Sequence, residues 1–308
     1  MTEPADSPIN VVYIAGETRS GTTIVDRILG TLDGVTSLCE LYYAWDAGYA
    51  NDDYCSCGQR FSACDFWQRV TATAFGPDGP PRTGHVLRER VIRSRDFPRL
   101  YTGAVGRGFS AALEQYRRWL GQLYRGLRDV TGCSTFIDSS KYPSGALILA
   151  GVPGIAVHVL HVVRDPRGFV YSMQKGNYNP GFEGRMAVRG PASSLTGWVV
   201  RNLFCEALGR RMPYVRLAYD EMARAPRTQM QRVVDAIAPL AGKQLPFLDE
   251  RRIDLPMIHT IGGNPHRFRC GVTEISPDDE WRDNLDPGAR RTATAMAYPL
   301  LHRYGIPV

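Results

Sequence analysis

Four sets of polar residues in this chain have the type and spacing to handle a strongly anionic ligand. The first is Arg19-Ser20-Gly21-Thr22-Thr23, which follows Gly16 and the apolar run Val11-Val12-Tyr13-Ile14-Ala15. The run reads as a buried strand. Thr22 to Leu32 then sets Ile24, Val25, Ile28, Leu29 and Leu32 at helical spacing. Strand, glycine turn and helix N-terminus aim unpaired backbone N–H groups and the positive end of the helix dipole at one point, a ready anion site. Gly16 and Gly21 match the ends of the phosphate-cradling pattern G-x-x-x-x-G-K-[ST], but the lysine position holds Thr22. The cation sits inside the loop instead, at Arg19.

The second set is Arg164-Asp165-Pro166-Arg167 with Ser172. It follows Ile155 to Val163, apolar enough for a central parallel strand. Pro166 suits the first turn of a helix and Asp165 its N-cap. Arg164 at the strand end and Ser172 two turns along the helix can then grip one dianion, by a charge-assisted fork and a hydroxyl. The third candidate is Glu40, ending the short strand Gly34 to Cys39. The fourth is Lys141, just after the strand Ser134 to Asp138 and before a helix opening at Pro143. Open α/β sheets gather their ligands at such carboxyl ends.

The R-S-G-T-T loop resembles the 5′-phosphosulfate loop of sulfotransferases that use 3′-phosphoadenosine-5′-phosphosulfate (PAPS), and R-D-P-R-x-x-x-x-S resembles their 3′-phosphate motif. The resemblance spans roughly Val11 to Leu285. It implies an α/β fold, a P-loop NTPase-like three-layer sandwich with a mostly parallel central sheet. It also implies one sulfotransferase domain over 1–308, with a helical and aromatic insertion at about 41–130. By that likeness Arg19, Ser20, Gly21, Thr22 and Thr23 hold the 5′-phosphate and Arg164 and Ser172 the 3′-phosphate. Glu40 matches the general base, and Lys141 the lysine on the transferring group, of protein-tyrosine and some carbohydrate sulfotransferases.

Softer matches follow. Tyr219, before an inverted acid pair Asp220-Glu221, resembles the tyrosine that touches the adenine. Gly262-Gly263-Asn264-Pro265-His266-Arg267-Phe268-Arg269, before Trp281 to Leu285, resembles the C-terminal loop that closes over the nucleotide, with Arg267 preferred to Arg269 as its phosphate contact. No metal is implied, since arginine and lysine replace the Mg²⁺ of kinases. Glu17 sits inside an anion loop and is expected to turn its carboxylate outward. A P-loop kinase or nucleotide hydrolase is the competing enzyme, disfavoured by the missing lysine. A non-catalytic nucleotide-binding protein is the competing class, disfavoured by the presence of Arg19, Glu40 and Lys141.

The remaining composition is permissive. A chain of 308 residues, 44% hydrophobic and 22% charged, can bury a full core. A net charge of +6 suits a small polyanion at least as well as nucleic acid, and no long Lys/Arg run argues for the latter; the resemblance implies a hydroxyl-bearing acceptor, aromatic or sugar. Met1 to Asn10 has no basic and apolar leader pattern, and no apolar run approaches the roughly 20 residues of a membrane span, so a cytoplasmic protein is expected. The aromatics of 41–67 read equally as an acceptor pocket or as core. Lys175 to Pro191 reads as a flexible loop over the site, and the arginines of 85–130 as wet helix faces. Cys55, Cys57 and Cys64, with Cys39 as a distant fourth, match no common zinc spacing. Metal, disulfide and simple packing all stay open for them, with no metal expected, and His259 is expected to be structural.

Overall fold

The computed structural model describes residues 8–80, 83–176, 178–186, 188 and 190–308. In chain order the elements are β1 (Ile9–Gly16), α1 (Thr22–Leu29), β2 (Val35–Cys39), α2 (Asp65–Phe75), α3 (Gly84–Val91), α4 (Phe97–Thr102), α5 (Arg107–Thr131) and β3 (Thr135–Lys141). There follow α6 (Pro143–Leu149), β4 (Ile155–Val163), α7 (Pro166–Gln174), β5 (Tyr178–Asn179), β6 (Gly184–Arg185), α8 (Pro191–Leu208) and β7 (Tyr214–Ala218). The chain closes with α9 (Tyr219–Arg224), α10 (Pro226–Ala236), β8 (Arg252–Leu255), β9 (Gly271–Glu274), α11 (Trp281–Asn284) and α12 (Pro287–Tyr304).

The main sheet runs β2-β3-β1-β4-β7, and every pairing in it is parallel. Strand β1 lies at its centre, and the period of two in its side chains divides the core. Val11, Tyr13 and Ala15 face a layer that includes α5, α6 and the segment 41–75, where Trp45, Trp67, Tyr116 and Tyr124 are fully buried. Val12 and Ile14 face α1, α10 and β8 through Val25, Ile28, Met230, Val233 and Ile253. A third core joins α7, α8 and α12 around Phe169, Trp198 and Trp281. Helices therefore cover both faces of a parallel sheet, as expected from the sequence. No helix among the described residues is long and apolar enough to cross a membrane.

Three expectations shift. Helix α1 ends at Leu29 rather than Leu32. Strand β3 continues past Asp138 to Lys141, where Ala15 pairs with Lys141 after a register shift. The expected flexible loop at 175–191 carries the antiparallel hairpin β5–β6. Asn177 of that loop, and Pro81 of the Gly76–Pro81 turn, lie outside the described residues.

Two carboxyls are buried beneath the sheet's carboxyl edge. Asp26 hydrogen-bonds Ser37, and burial pushes it up to about 7. Asp138 accepts from Tyr124 Oη at 2.6 Å and from the Ser140 amide at 2.9 Å, and burial pushes it up to about 6. A carboxyl raised by folding stabilises when protonated, so its contribution is complete below about pH 4 and is lost as pH rises through the folded value. We expect the melting temperature of the wild type to fall between about pH 4 and 7 relative to Asp26→Asn. A wild-type-minus-variant difference that is flat over this window in a thermal melt series would contradict the assignment.

Candidate functional site

Strands β1, β2, β3, β4 and β7 bring their carboxyl ends to one edge, and a cavity of about 720 Å³ opens there. That volume lies within the range of small-ligand pockets. Thr18, Arg19, Gly21, Thr22 and Thr23 line it, together with Glu40, Lys141, Arg164, Ser172 and Tyr219. Ser20 is buried beneath the loop and does not line the cavity.

The anion loop takes its shape from Gly21. It is the N-cap of α1, at φ 80°, and the helix start carries no side-chain cap, which leaves its first amides open to an anion. A Cβ at Gly21 would run into the ring of Tyr219, so this position needs glycine both for its backbone angle and for space. Arg19 holds a left-handed φ of 62° and donates to the Lys175 carbonyl at 3.0 Å. Its guanidinium is pushed down by burial and then by the charge of Arg164. Two cations that repel in this way both gain from a shared anion. Glu17, expected to turn outward, does not line the cavity; it is buried and paired with Arg201 of α8 at 3.0 Å.

Arg164 spans the loop and the opposite rim. It donates to the Arg19 carbonyl at 2.8 Å and to the Asp278 carboxylate at 2.6 Å, with its guanidinium 5.1 Å from the centre of the Tyr219 ring. Asp165 caps α7 by accepting from the Arg167 amide at 2.8 Å, as expected. Arg167 itself is consumed by Asp165 and the Pro307 carbonyl, so Arg164 is the arginine of this motif that meets the cavity.

Glu40 and Lys141 form a buried ion pair, each residue 5% exposed. The residues that aim them are strained: Cys39 at φ 49° and Lys141 at φ 70° occupy the left-handed region that side chains rarely adopt. Ser140 braces both turns, donating to Asp138 while accepting from the Tyr42 amide at 3.1 Å. Gly263 lies against Glu40, where a Cβ would stand 2.5 Å from a carboxylate oxygen. The sequence offered Asp138 only as a strand residue. Its bracing role was visible at most in its polarity within an apolar run.

Arg267 departs from expectation. It is 2% exposed, donates to the carbonyls of Thr260 and Tyr54 at 2.7 Å each, and burial pushes it down to about 10. Its guanidinium is absorbed in holding the backbone, and Arg269 lines the cavity in its place. Asp278 is a cavity residue that the sequence reading missed, Arg269 was the less favoured of two arginines, and Asn179 was read only as part of a loop over the site. Arg27, buried in α1, donates to the carbonyls of Pro256 at 2.5 Å, His266 at 3.2 Å and Arg267 at 3.3 Å, and to that of Arg269. Of the aromatic segment, Trp45, Phe61 and Trp67 are core, whereas Tyr43 reaches the cavity. Cys39 is buried beside Ser37, 3.9 Å from its hydroxyl.

Removing one partner of a buried ion pair leaves the other charge uncompensated, at a cost of about 3–5 kcal/mol. Lys141→Met should cost about that much in chemical denaturation, with the double variant Glu40→Gln/Lys141→Met recovering most of the loss. A double-variant loss equal to the sum of the two single losses would show that the pair is not coupled.

No protein-family model matches the chain, and no curated protein sequence matches it. Among solved structures it is similar to the sulfotransferase domain from the Synechococcus PCC 7002 olefin synthase, with a TM-score of 0.48, 17% identity, and 97% of this chain and 98% of that one covered. It is also similar to the sulfotransferase domain from the curacin biosynthetic pathway, with a TM-score of 0.45, 15% identity, and 96% and 97% of the two chains covered. A third similar structure is sulfotransferase STF9 from Mycobacterium avium, with a TM-score of 0.47, 13% identity, and 98% and 79% covered.

Proposed function

We propose that this chain is a PAPS-dependent sulfotransferase that moves a sulfuryl group to a hydroxyl acceptor. The observation that carries the reading is Arg164, which already donates to a carboxylate, in the same cavity as an uncapped arginine loop and the Glu40–Lys141 pair. An anion fork and an anion cradle on one cavity suit a donor with phosphate groups at two places. Thr22 at the lysine position supports a phosphosulfate over a nucleoside triphosphate.

On this reading the open amides at the start of α1 and Arg19 bind the 5′-phosphate. Arg164 exchanges Asp278 for the 3′-phosphate, with Ser172 beside it and Tyr219 against the base. Glu40 takes the proton of the acceptor hydroxyl as its oxygen attacks sulfur and the sulfur–oxygen bond to the 5′-phosphate breaks. General-base help of this kind contributes about 10²–10⁴-fold. Arg19 and Lys141 neutralise the charge that grows on the departing phosphate oxygen. Positioning and charge neutralisation carry most of such an in-line transfer. Tyr43 and Phe182 give the acceptor a wall of rings, which suits a phenol or a sugar.

Calorimetric titration without magnesium should give tight binding of 3′-phosphoadenosine-5′-phosphate and far weaker binding of ATP, and Arg164→Ala should abolish the preference. Asp278→Asn, which removes the competing carboxylate, should bind the 3′-phosphorylated nucleotide several-fold more tightly. Equal affinity for the two nucleotides, or a magnesium requirement with ATP, would overturn the proposal. With a phenolic or sugar acceptor that supports turnover, Glu40→Gln should lower kcat by about 10²–10⁴-fold.

A further inference from the structure

Away from the cavity wall, the chain gathers Cys55, Cys57, Cys64 and His259, whose four donor atoms lie within 4.8 Å of one another. We infer that they form a structural zinc site that fastens the C-terminal wall of the cavity to the aromatic insertion.

The geometry separates this reading from its rivals. Cys57 Sγ lies 3.7 Å from Cys64 Sγ, and Cys64 Sγ lies 3.8 Å from Cys55 Sγ. A disulfide needs about 2.05 Å, whereas two thiolates on one tetrahedral zinc, each at about 2.3 Å, stand about 3.8 Å apart. His259 Nδ1 lies 3.3 Å from Cys64 Sγ and 3.9 Å from Cys55 Sγ. The corresponding sulfur–nitrogen edge of a tetrahedral site is about 3.6 Å, midway between them. Simple packing of buried thiols does not call for an imidazole nitrogen turned into their midst.

The surroundings are those of a held site. Cys55 opens a tight turn in which its amide donates to Gln59 at 2.8 Å and its carbonyl accepts from Gly58 at 2.9 Å. The His259 ring stacks on Phe66, centroids 5.1 Å apart and planes 14° apart, which fixes its direction. The two strands of chain that bring the ligands together are laced by backbone. The Ser56 amide donates to the Thr260 carbonyl at 3.0 Å, and the Thr260 amide to Ser56 Oγ at 2.9 Å. Arg267 completes the lacing through Tyr54 and Thr260, neighbours of Cys55 and His259. Four protein ligands fill a tetrahedron and leave no open position, so the zinc is structural, and none of the four residues lines the cavity. Binding would release the three thiol protons to solvent, with no redox change. Just beyond His259, Gly262 packs on Tyr43 and Gly263 on Glu40, so the metal anchors the wall facing the candidate base.

The test is zinc content of the full-length protein, purified from zinc-supplemented medium and passed over a weak chelator. We expect about one zinc per chain. Cys57→Ser, at the half-exposed ligand, should lose most of it, while Cys133→Ser and Cys270→Ser keep it. Cobalt exchanged into the wild type should show the visible bands of a tetrahedral centre with thiolate charge transfer, a readout that needs no variant to fold. Zinc-free folded wild type, undiminished zinc in Cys57→Ser, octahedral cobalt bands, or a disulfide within the set by intact mass would each overturn the proposal. Nucleotide titration is a separate measurement, so this site and the sulfotransferase reading stand or fall apart.

Discussion

Concentrating positive charge at one edge of a parallel sheet is the constraint on which the rest of this structure turns. Arg19, Lys141 and Arg164 all meet the same cavity, and bringing buried cations together costs energy unless each is answered. The fold answers them one by one. Lys141 is paired with Glu40, Arg164 with Asp278, and Arg19 with the Lys175 carbonyl. The one carboxylate inside the anion loop, Glu17, is drawn away to Arg201. The result is a pocket whose cations are oriented before any ligand arrives, the condition for electrostatic stabilisation without reorganisation.

Orientation of this kind is held by backbone in uncommon conformations. Arg19, Cys39 and Lys141 all adopt left-handed φ, and they lie at the carboxyl ends of β1, β2 and β3. Each such residue stores on the order of 1–3 kcal/mol, tolerated because the surrounding structure over-determines it. Here that surrounding is the parallel ladder with its register shifts, backed by apolar cores on both faces.

Much of this was legible in the sequence, for reasons that are local. Strand β4 is a largely apolar run, interrupted only by His158 and His161, and its ends were read correctly; the N-cap of α7 announces itself in Asp165-Pro166. Glu40, Lys141 and Arg164 follow strands directly and so share an edge, while Ser172 on α7 and Tyr219 were reached through the resemblance of their motifs. What escaped was decided by distant chain. Arg267 and Arg269 differ by two residues, and only the carbonyls of Tyr54 and Thr260 determine which one is consumed. Glu17 was read as turning outward, but its partner could not be named because Arg201 is 184 positions away. The three cysteines were readable as a cluster, but the spacing alone could not supply His259, which arrives from the other end of the chain.

The short helix α1 has a mechanical consequence. It is 8 residues long, about 12 Å, and it presents the anion loop at its start while Arg27, near its end, grips the backbone of 256–269. Loop and C-terminal wall are thus two fittings on one rod, seated against the central sheet. That half of the pocket has no independent hinge. Across the cavity the β5–β6 hairpin and the Asp278–Glu280 segment are fastened by bonds such as Asn179 to Gly263 and Lys175 to Glu280. The segment on that side carries Asp278, the anion already seated on Arg164.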